Sequence, residues 1–302
     1  MTKLQKIKYG VPSGNDALTV RFGIAEGIFE TEGLDLTMQV VFGGPEIAAA
    51  FDGGDVQIGS LGSPSGIPAM AAGNRFRIIA SGCRQKPHMY LGARKDIHSY
   101  GDLKGKRIGL LSIGSCPSWI VHKILAHHGL SAATDVTLVP LHDQYPRIIE
   151  IMADGGFEAC LATEPNLSIG EDKGILDIWA AAYDPKYLPQ FQWIVRVANL
   201  DMIEHHPETI EAVLRGCRAS AHHARANMAE FSRFVARYYG ASEASARRAM
   251  EREMALYQLD CQLDMAGLQN AVDMLYELGG LDRPREANEF TDLRFQKNTP
   301  PS

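Results

Sequence analysis

The sequence predicts an α/β protein built as two lobes. Three observations carry this expectation. Strand-like and helix-like segments alternate from residue 6 to residue 179, the rhythm of a parallel sheet covered by helices. The alternation restarts near residue 88. Loops rich in Gly, Ser and Pro follow successive strands at residues 12–16, 43–45 and 60–66, at the sheet edge where α/β proteins hold ligands.

In order, residues 6–10 read as a strand and residues 17–29 as a helix, from apolar residues at helical spacing. A strand at 34–41 runs into Phe42-Gly43-Gly44-Pro45, a helix covers 46–51, and Asp52-Gly53-Gly54-Asp55 turns the chain into a strand at 56–59. A small-residue helix at 67–72 and a strand at 76–81 complete the first run. The second run has strands at 89–94 and 107–111, a helix at 118–128, a strand at 135–140, a helix at 146–154, and strands at 158–163 and 176–179. From residue 207 the pattern is largely helical, and residues 298–302 read as a frayed tail.

The 302 residues suffice for two lobes with a sizeable core. Thirty basic against 36 acidic side chains give a net charge of −6, which argues against a general nucleic-acid binder. No apolar run approaches the roughly 20 residues of a membrane span. The N-terminus, MTKLQKIKYGVPSG, has no apolar region of a signal peptide. The compartment is therefore expected to be the periplasm if an export signal was removed, and the cytoplasm if Met1 is the native start. The five cysteines include no CxxC, and free thiols are expected rather than a disulfide framework.

Candidate site residues cluster at two corners. The first, Val56-Gln57-Ile58-Gly59-Ser60-Leu61-Gly62-Ser63-Pro64-Ser65-Gly66, has no P-loop lysine and no serine at the centre of a nucleophile elbow. It ends a strand and opens a helix, with Ser60, Gly62, Ser63 and backbone N–H groups available to an anion; the alternative is a plain capped turn. The second, Ser112-Ile113-Gly114-Ser115-Cys116-Pro117, places Ser112, Ser115 and Cys116 at another helix start. Facing each other, the two corners would clamp one anionic group. Cys116 is the best-placed thiol for a nucleophile, against the plainer reading of a cysteine near a cap.

Gly44, Asn15 and Asp16 lie in the other two edge loops. Arg84 offers a fork for a carboxylate or sulfonate, or a hinge ion pair, with His88 close by. Tyr90, Trp119 and Trp193 are candidates for an aromatic wall. Glu164 stands at a strand end before Pro165, where the plain reading is a side chain facing solvent. The pairs at 127–128, 205–206 and 222–223 lack metal-site spacing, so no metal and no cofactor are expected. Residues 247–253, of mixed charge, read as a solvated helix face.

Four motifs then occur in order. Gly54-Asp55-Val56-Gln57-Ile58-Gly59-Ser60-Leu61-Gly62-Ser63 resembles the corner of bacterial solute-binding proteins for taurine, alkanesulfonates and nitrate. Gly27-Ile28-Phe29-Glu30-Thr31-Glu32-Gly33-Leu34, Asp102-Leu103-Lys104-Gly105-Lys106-Arg107-Ile108-Gly109 and His206-Pro207-Glu208 resemble further landmarks of that family. The resemblance implies a type II periplasmic-binding-protein fold: two doubly wound lobes, two crossover strands and a helical C-terminal part. It places lobe one at 1–85 plus 191–302 and lobe two at 86–190. It implies a small anionic organic ligand in the cleft, with Asn15, Asp16, Gly44, Ser60, Gly62, Ser63, Arg84, Ser112, Ser115, Cys116, Glu164 and Trp193 as candidate contacts, and an ABC permease as partner. No reaction is the first expectation. The alternative is a cytoplasmic enzyme on the same scaffold that uses Cys116, His88 or Glu164 on an aromatic or heterocyclic acid. Related enzymes bear on this: the cysteine cluster of the thiamine-pyrimidine synthases is not found here, and residues 12–16 lack the nucleophilic cysteine of the sulfinate desulfinase.

Overall fold

The structure, a computed structural model, describes residues 4–14 and 17–296, so Asn15, Asp16 and the tail at 298–302 lie outside the described residues. The first run is β1 (Gln5–Val11), α1 (Leu18–Ala25), α2 (Ile28–Thr31), β2 (Leu34–Val40), α3 (Gly44–Asp52), β3 (Ile58–Gly62), α4 (Ser63–Ala71) and β4 (Phe76–Ser81). The helix expected at 17–29 divides in two, because Gly27 adopts a left-handed conformation at φ 71°. The second run is β5 (Met89–Arg94), β6 (Arg107–Leu110), α5 (Cys116–His127), β7 (Thr137–Pro140), α6 (Ile148–Ala153), β8 (Ala159–Thr163), α7 (Asn166–Asp172) and β9 (Leu176–Ala181). The chain then returns through β10 (Ile194–Asn199), α8 (Leu200–His205), α9 (Pro207–Ala226), α10 (Met228–Tyr239), α11 (Glu243–Met254) and α12 (Met265–Glu277). The residue pattern alone did not single out α7 or β10.

Two five-stranded sheets result, ordered β2-β1-β3-β10-β4 and β7-β6-β8-β5-β9. The parallel rhythm read from the sequence holds for β1 with β2 and β3, and for β6 with β7 and β8. Each sheet also takes one antiparallel strand, β10 in the first and β5 in the second. Both are the strands that enter a sheet directly after the chain crosses from the other one. The central strands β3, β8 and β10 are buried along their whole length, as expected where helices cover both faces. β1 and β3 approach so closely that a Cβ on Gly59 would lie 2.1 Å from the Gly10 carbonyl oxygen.

The two crossover segments pair with each other. Gly82 N–H donates to the Ile194 carbonyl at 2.7 Å, and Trp193 N–H donates to the Gln85 carbonyl at 2.6 Å. The C-terminal part grips both. Glu253 of α11 accepts from Arg84 at 2.8 Å and from His88 Nδ1 at 3.0 Å. Asp264 N–H donates to Gln192 Oε1 at 3.0 Å, and the Asn270 amide donates to the Gln190 carbonyl at 2.7 Å.

Two expectations are corrected here. Residues 247–253 are not wholly a solvated face. Arg247 and Glu251 form an exposed i,i+4 pair at 2.8 Å, but Glu253, two positions further round the helix, is only 3% exposed. Nor are all the thiols reduced: Cys83 and Cys261, 178 residues apart, form a disulfide, while Cys116, Cys160 and Cys217 are buried and take no part in one. The bond ties the loop after α11 to the first crossover, a proximity that spacing in the chain does not reveal.

Burial holds the His88 imidazole below its ordinary value, even though Glu253 opposes this, so the ring is neutral and its Nδ1–H donates to the carboxylate. Burial by itself would raise the Glu253 carboxyl, but the Arg84 charge and the hydrogen bonds from His88 and Arg84 outweigh it and hold the group below the usual carboxylate range.

Three outcomes follow from this arrangement. Gly59→Ala loses roughly 3 kcal/mol of stability or fails to fold, read by denaturant titration, since the atoms its Cβ would meet are all Gly10 backbone. Intact mass after alkylation of the denatured, unreduced chain shows three labels, and five after reduction. Acid destabilises in two stages. Below about pH 6.5 the unfolded His88 gains a proton that the native ring resists, and below about pH 4.5 the unfolded Glu253 does the same. Tm therefore falls from pH 7 to pH 5, and His88→Gln flattens that slope; a residual slope comes from His122 and His128, which burial also lowers.

Candidate functional site

Three helix N-termini converge where the two sheets face each other. α3 begins behind Gly43, α4 behind Gly62 and α5 behind Ser115, and each carries proline in its first turn, at Pro45, Pro64 and Pro117. Proline suits that turn because its missing N–H would have no partner there. None of the three helices has a side-chain cap, and the positive ends of their dipoles meet one space, although not every first-turn N–H is open to it: Ser63 N–H donates to the Trp193 carbonyl at 2.7 Å. That space is a cavity of about 380 Å³, its open mouth included.

Small residues allow the approach. A Cβ on Gly44 would lie 2.5 Å from Ser65 Oγ and 3.1 Å from the Ser115 Cα. One on Gly62 would lie 1.9 Å from Cys116 Sγ and 3.1 Å from Trp193 Nε1. Ser65 Oγ and Cys116 Sγ meet across the cleft at 3.4 Å.

The two corners singled out by sequence are therefore together. Gly44, Gly62, Ser115, Cys116 and Trp193 all line the cavity. Trp193 is 2% exposed, and its indole N–H has no hydrogen-bond partner among the described residues. Behind the ring, the Arg84 guanidinium carbon stands 4.5 Å from the ring centroid.

Other candidates are turned elsewhere. Ser60 Oγ is bonded to the Tyr9 hydroxyl at 2.6 Å in the buried interior of the first sheet. Ser63 Oγ donates to the Gln192 carbonyl at 2.6 Å, tying α4 to the second crossover. Ser112 takes part through its backbone: its carbonyl accepts from the Ser115 hydroxyl, and its N–H donates to Ser115 Oγ at 3.3 Å. Arg84 answers to Glu253, as the hinge-pair alternative anticipated. Glu164 is neither solvent-facing nor in the cavity wall. It accepts from Ser168 N–H and Oγ at 2.9 Å each and from Arg252 at 3.0 Å. Burial raises its carboxyl, and these donors work against that shift. Of Cys116, His88 and Glu164, only Cys116 lines the cavity.

Of the remaining wall, Pro12, Ser13, Ser65 and Pro117 lie in loops that the sequence singled out without naming them as contacts, and Met89, Leu111, Tyr145 and Thr163 were missed. Thr163 could have been found, because neighbours at a strand end point to opposite faces; Thr163 takes the cavity side and Glu164 the other. Tyr145, whose hydroxyl accepts from Thr163 N–H at 3.3 Å, carries no sequence signal of its position. Among the described residues, no Asp, Glu, Lys, Arg or His side chain lines the cavity. Hydroxyls, amides, one thiol and one indole N–H supply its polarity, which suits a small anion or a ligand rich in acceptor atoms. Groups of three or more His, Cys, Asp or Glu able to hold a metal are absent among the described residues. No helix there is long and apolar enough to cross a membrane.

Comparison with solved structures places this geometry in a known architecture. A protein of Bordetella bronchiseptica RB50 superposes with a TM-score of 0.84 at 20% identity, covering 98% of this chain and 97% of that one. The alkanesulfonate-binding protein SsuA of Xanthomonas axonopodis pv. citri, bound to MOPS, gives 0.79 at 17% identity over 97% and 100%. The periplasmic nitrate-binding protein NrtA of Synechocystis PCC 6803 gives 0.77 at 10% identity over 94% and 84%. The fold is thus the periplasmic-binding-protein fold. In sequence, the Bacillus subtilis (strain 168) protein named "Putative binding protein YtlA" is 28% identical over 160 residues, 52% of this chain and 48% of that one; the chain spans about half the length of this curated relative. The NMT1/THI5 like family matches residues 19–230, well over half of the sequence, and the chain belongs to that family.

Proposed function

We propose that this protein is a solute-binding protein that closes two lobes on a small anionic organic molecule, a sulfonate or a similar acid, and delivers it to an ABC permease. The lobes would be residues 1–85 plus 191–302 and residues 86–190. One observation carries the reading: three uncapped helix N-termini and the unpartnered Trp193 N–H open into the same cavity. A buried donor without an acceptor, as the Trp193 N–H is, is costly, and an oxyanion would accept from it while meeting the positive ends of the three helices. The named functions of the alkanesulfonate-binding and nitrate-binding neighbours support the same class of ligand. The apolar part of the wall, with Met89, Leu111 and Trp193, would hold the organic portion.

The Cys116 thiol in the wall is the one observation that favours chemistry on a bound acid instead. Native mass spectrometry of the purified chain, followed by titration with methanesulfonate, MOPS, nitrate and benzoate, tests the proposal. A retained or added small acid that leaves unchanged in mass supports it. A bare chain that takes none of the four sinks it, and a product that vanishes in Cys116→Ala moves the protein to the enzyme class.

Trp193→Phe, which keeps the ring and removes the donor, weakens the bound acid roughly tenfold by calorimetry. Gly62→Ala abolishes binding while the chain stays folded by circular dichroism, since its Cβ displaces the Cys116 thiol into the cavity.

A further inference from the structure

We propose that Arg252 is a latch that holds the two lobes closed and sets how fast the ligand leaves. This regulation of the cavity rests on its reading as a ligand site. α11 is rooted on the first-sheet side. Its Ala246, Ala249, Met250 and Met254 pack in one cluster with Phe22, Ala221 and Val235, and the Cys83–Cys261 disulfide fixes the loop that follows it. Its polar side reaches the other way, onto α7, which follows β8 of the second sheet. Arg252 Nη1 lies 3.0 Å from Glu164 Oε1 and 2.9 Å from Glu171 Oε2, and also reaches Ser168 Oγ at 3.4 Å. Above it, Arg248 lies 3.5 Å from Asp172 and donates to the Ser168 carbonyl at 3.3 Å. Ser242 Oγ donates to Asp172 at 3.0 Å.

A helix carried by one sheet therefore bonds a helix carried by the other, beside the paired crossovers. Glu164 makes the contact sensitive to motion. Its side chain is fully buried, so a rotation that draws α11 away strips a guanidinium from a carboxylate that water does not reach. Closure is favoured before any ligand arrives, in keeping with the direct Ser65–Cys116 contact across the cleft. Ligand exit requires the Arg252 contacts to break or slide.

The test compares the full chain with Arg252→Gln, Glu171→Gln and Arg247→Gln. The last removes an exposed pair within α11 and serves as the control. Small-angle scattering without ligand reads lobe separation, and stopped-flow tryptophan fluorescence reads methanesulfonate release. Arg252→Gln is expected to raise the radius of gyration and to speed release about tenfold, as when a partner of a buried charge pair is truncated. Glu171→Gln, which removes only the half-buried arm, gives a smaller change in the same direction, and Arg247→Gln matches the parent. If Arg252→Gln and Glu171→Gln, both folded, keep the parent radius and release rate, the latch is wrong. If the parent chain takes no methanesulfonate, the scattering comparison alone decides the latch, and the ligand reading is judged separately by native mass spectrometry.

Discussion

The buried carboxylate of Glu253 is the interaction on which the rest of the arrangement hangs. It stands at the end of α11 and binds Arg84 and His88, both on the first crossover. Charges in so dry a setting are tolerable only in pairs, and removing one partner typically costs about 3–5 kcal/mol. Arg84 in turn backs the Trp193 ring on the second crossover. A single C-terminal side chain thus fixes both connections between the sheets, and through Trp193 it sets one wall of the cavity.

That chain of contacts explains why the cavity has no charged side chain of its own among the described residues. The arginine best placed to meet an anion is spent on Glu253 and held behind the indole. Polarity at the cavity comes instead from backbone dipoles at three helix starts, the hydroxyls and one N–H. These groups are fixed in place by the fold. Recognition built from them depends on approach distance, which is why Gly44 and Gly62 admit no side chain.

The glycine, serine and proline corners were legible because turn and cap chemistry is local. Gly62, Ser115, Cys116 and Gly44 stand where the residue pattern put them, at strand ends opening helices. Ser60 and Ser63 share that corner yet face inward, since a corner motif marks a location without fixing which side chains turn into the space. Glu164 shows the same limit. Its place at the end of β8 was readable; its capture by Ser168 and Arg252 was not, because Arg252 lies 88 residues away.

By itself the sequence determined the α/β alternation, the restart near residue 88, the edge loops and the two corners, though not that the corners meet; these follow from periodicity and from glycine and proline conformation. Only the tertiary structure decided what lies behind and between them: β10 inserted antiparallel in the first sheet, Cys83 bonded to Cys261, and Glu253 drawn into the hinge from a helix that reads as solvated. Each of these depends on which distant segments share space. A short stretch of sequence encodes how its own backbone bends and which face is apolar, and it carries no record of the partner that will desolvate it.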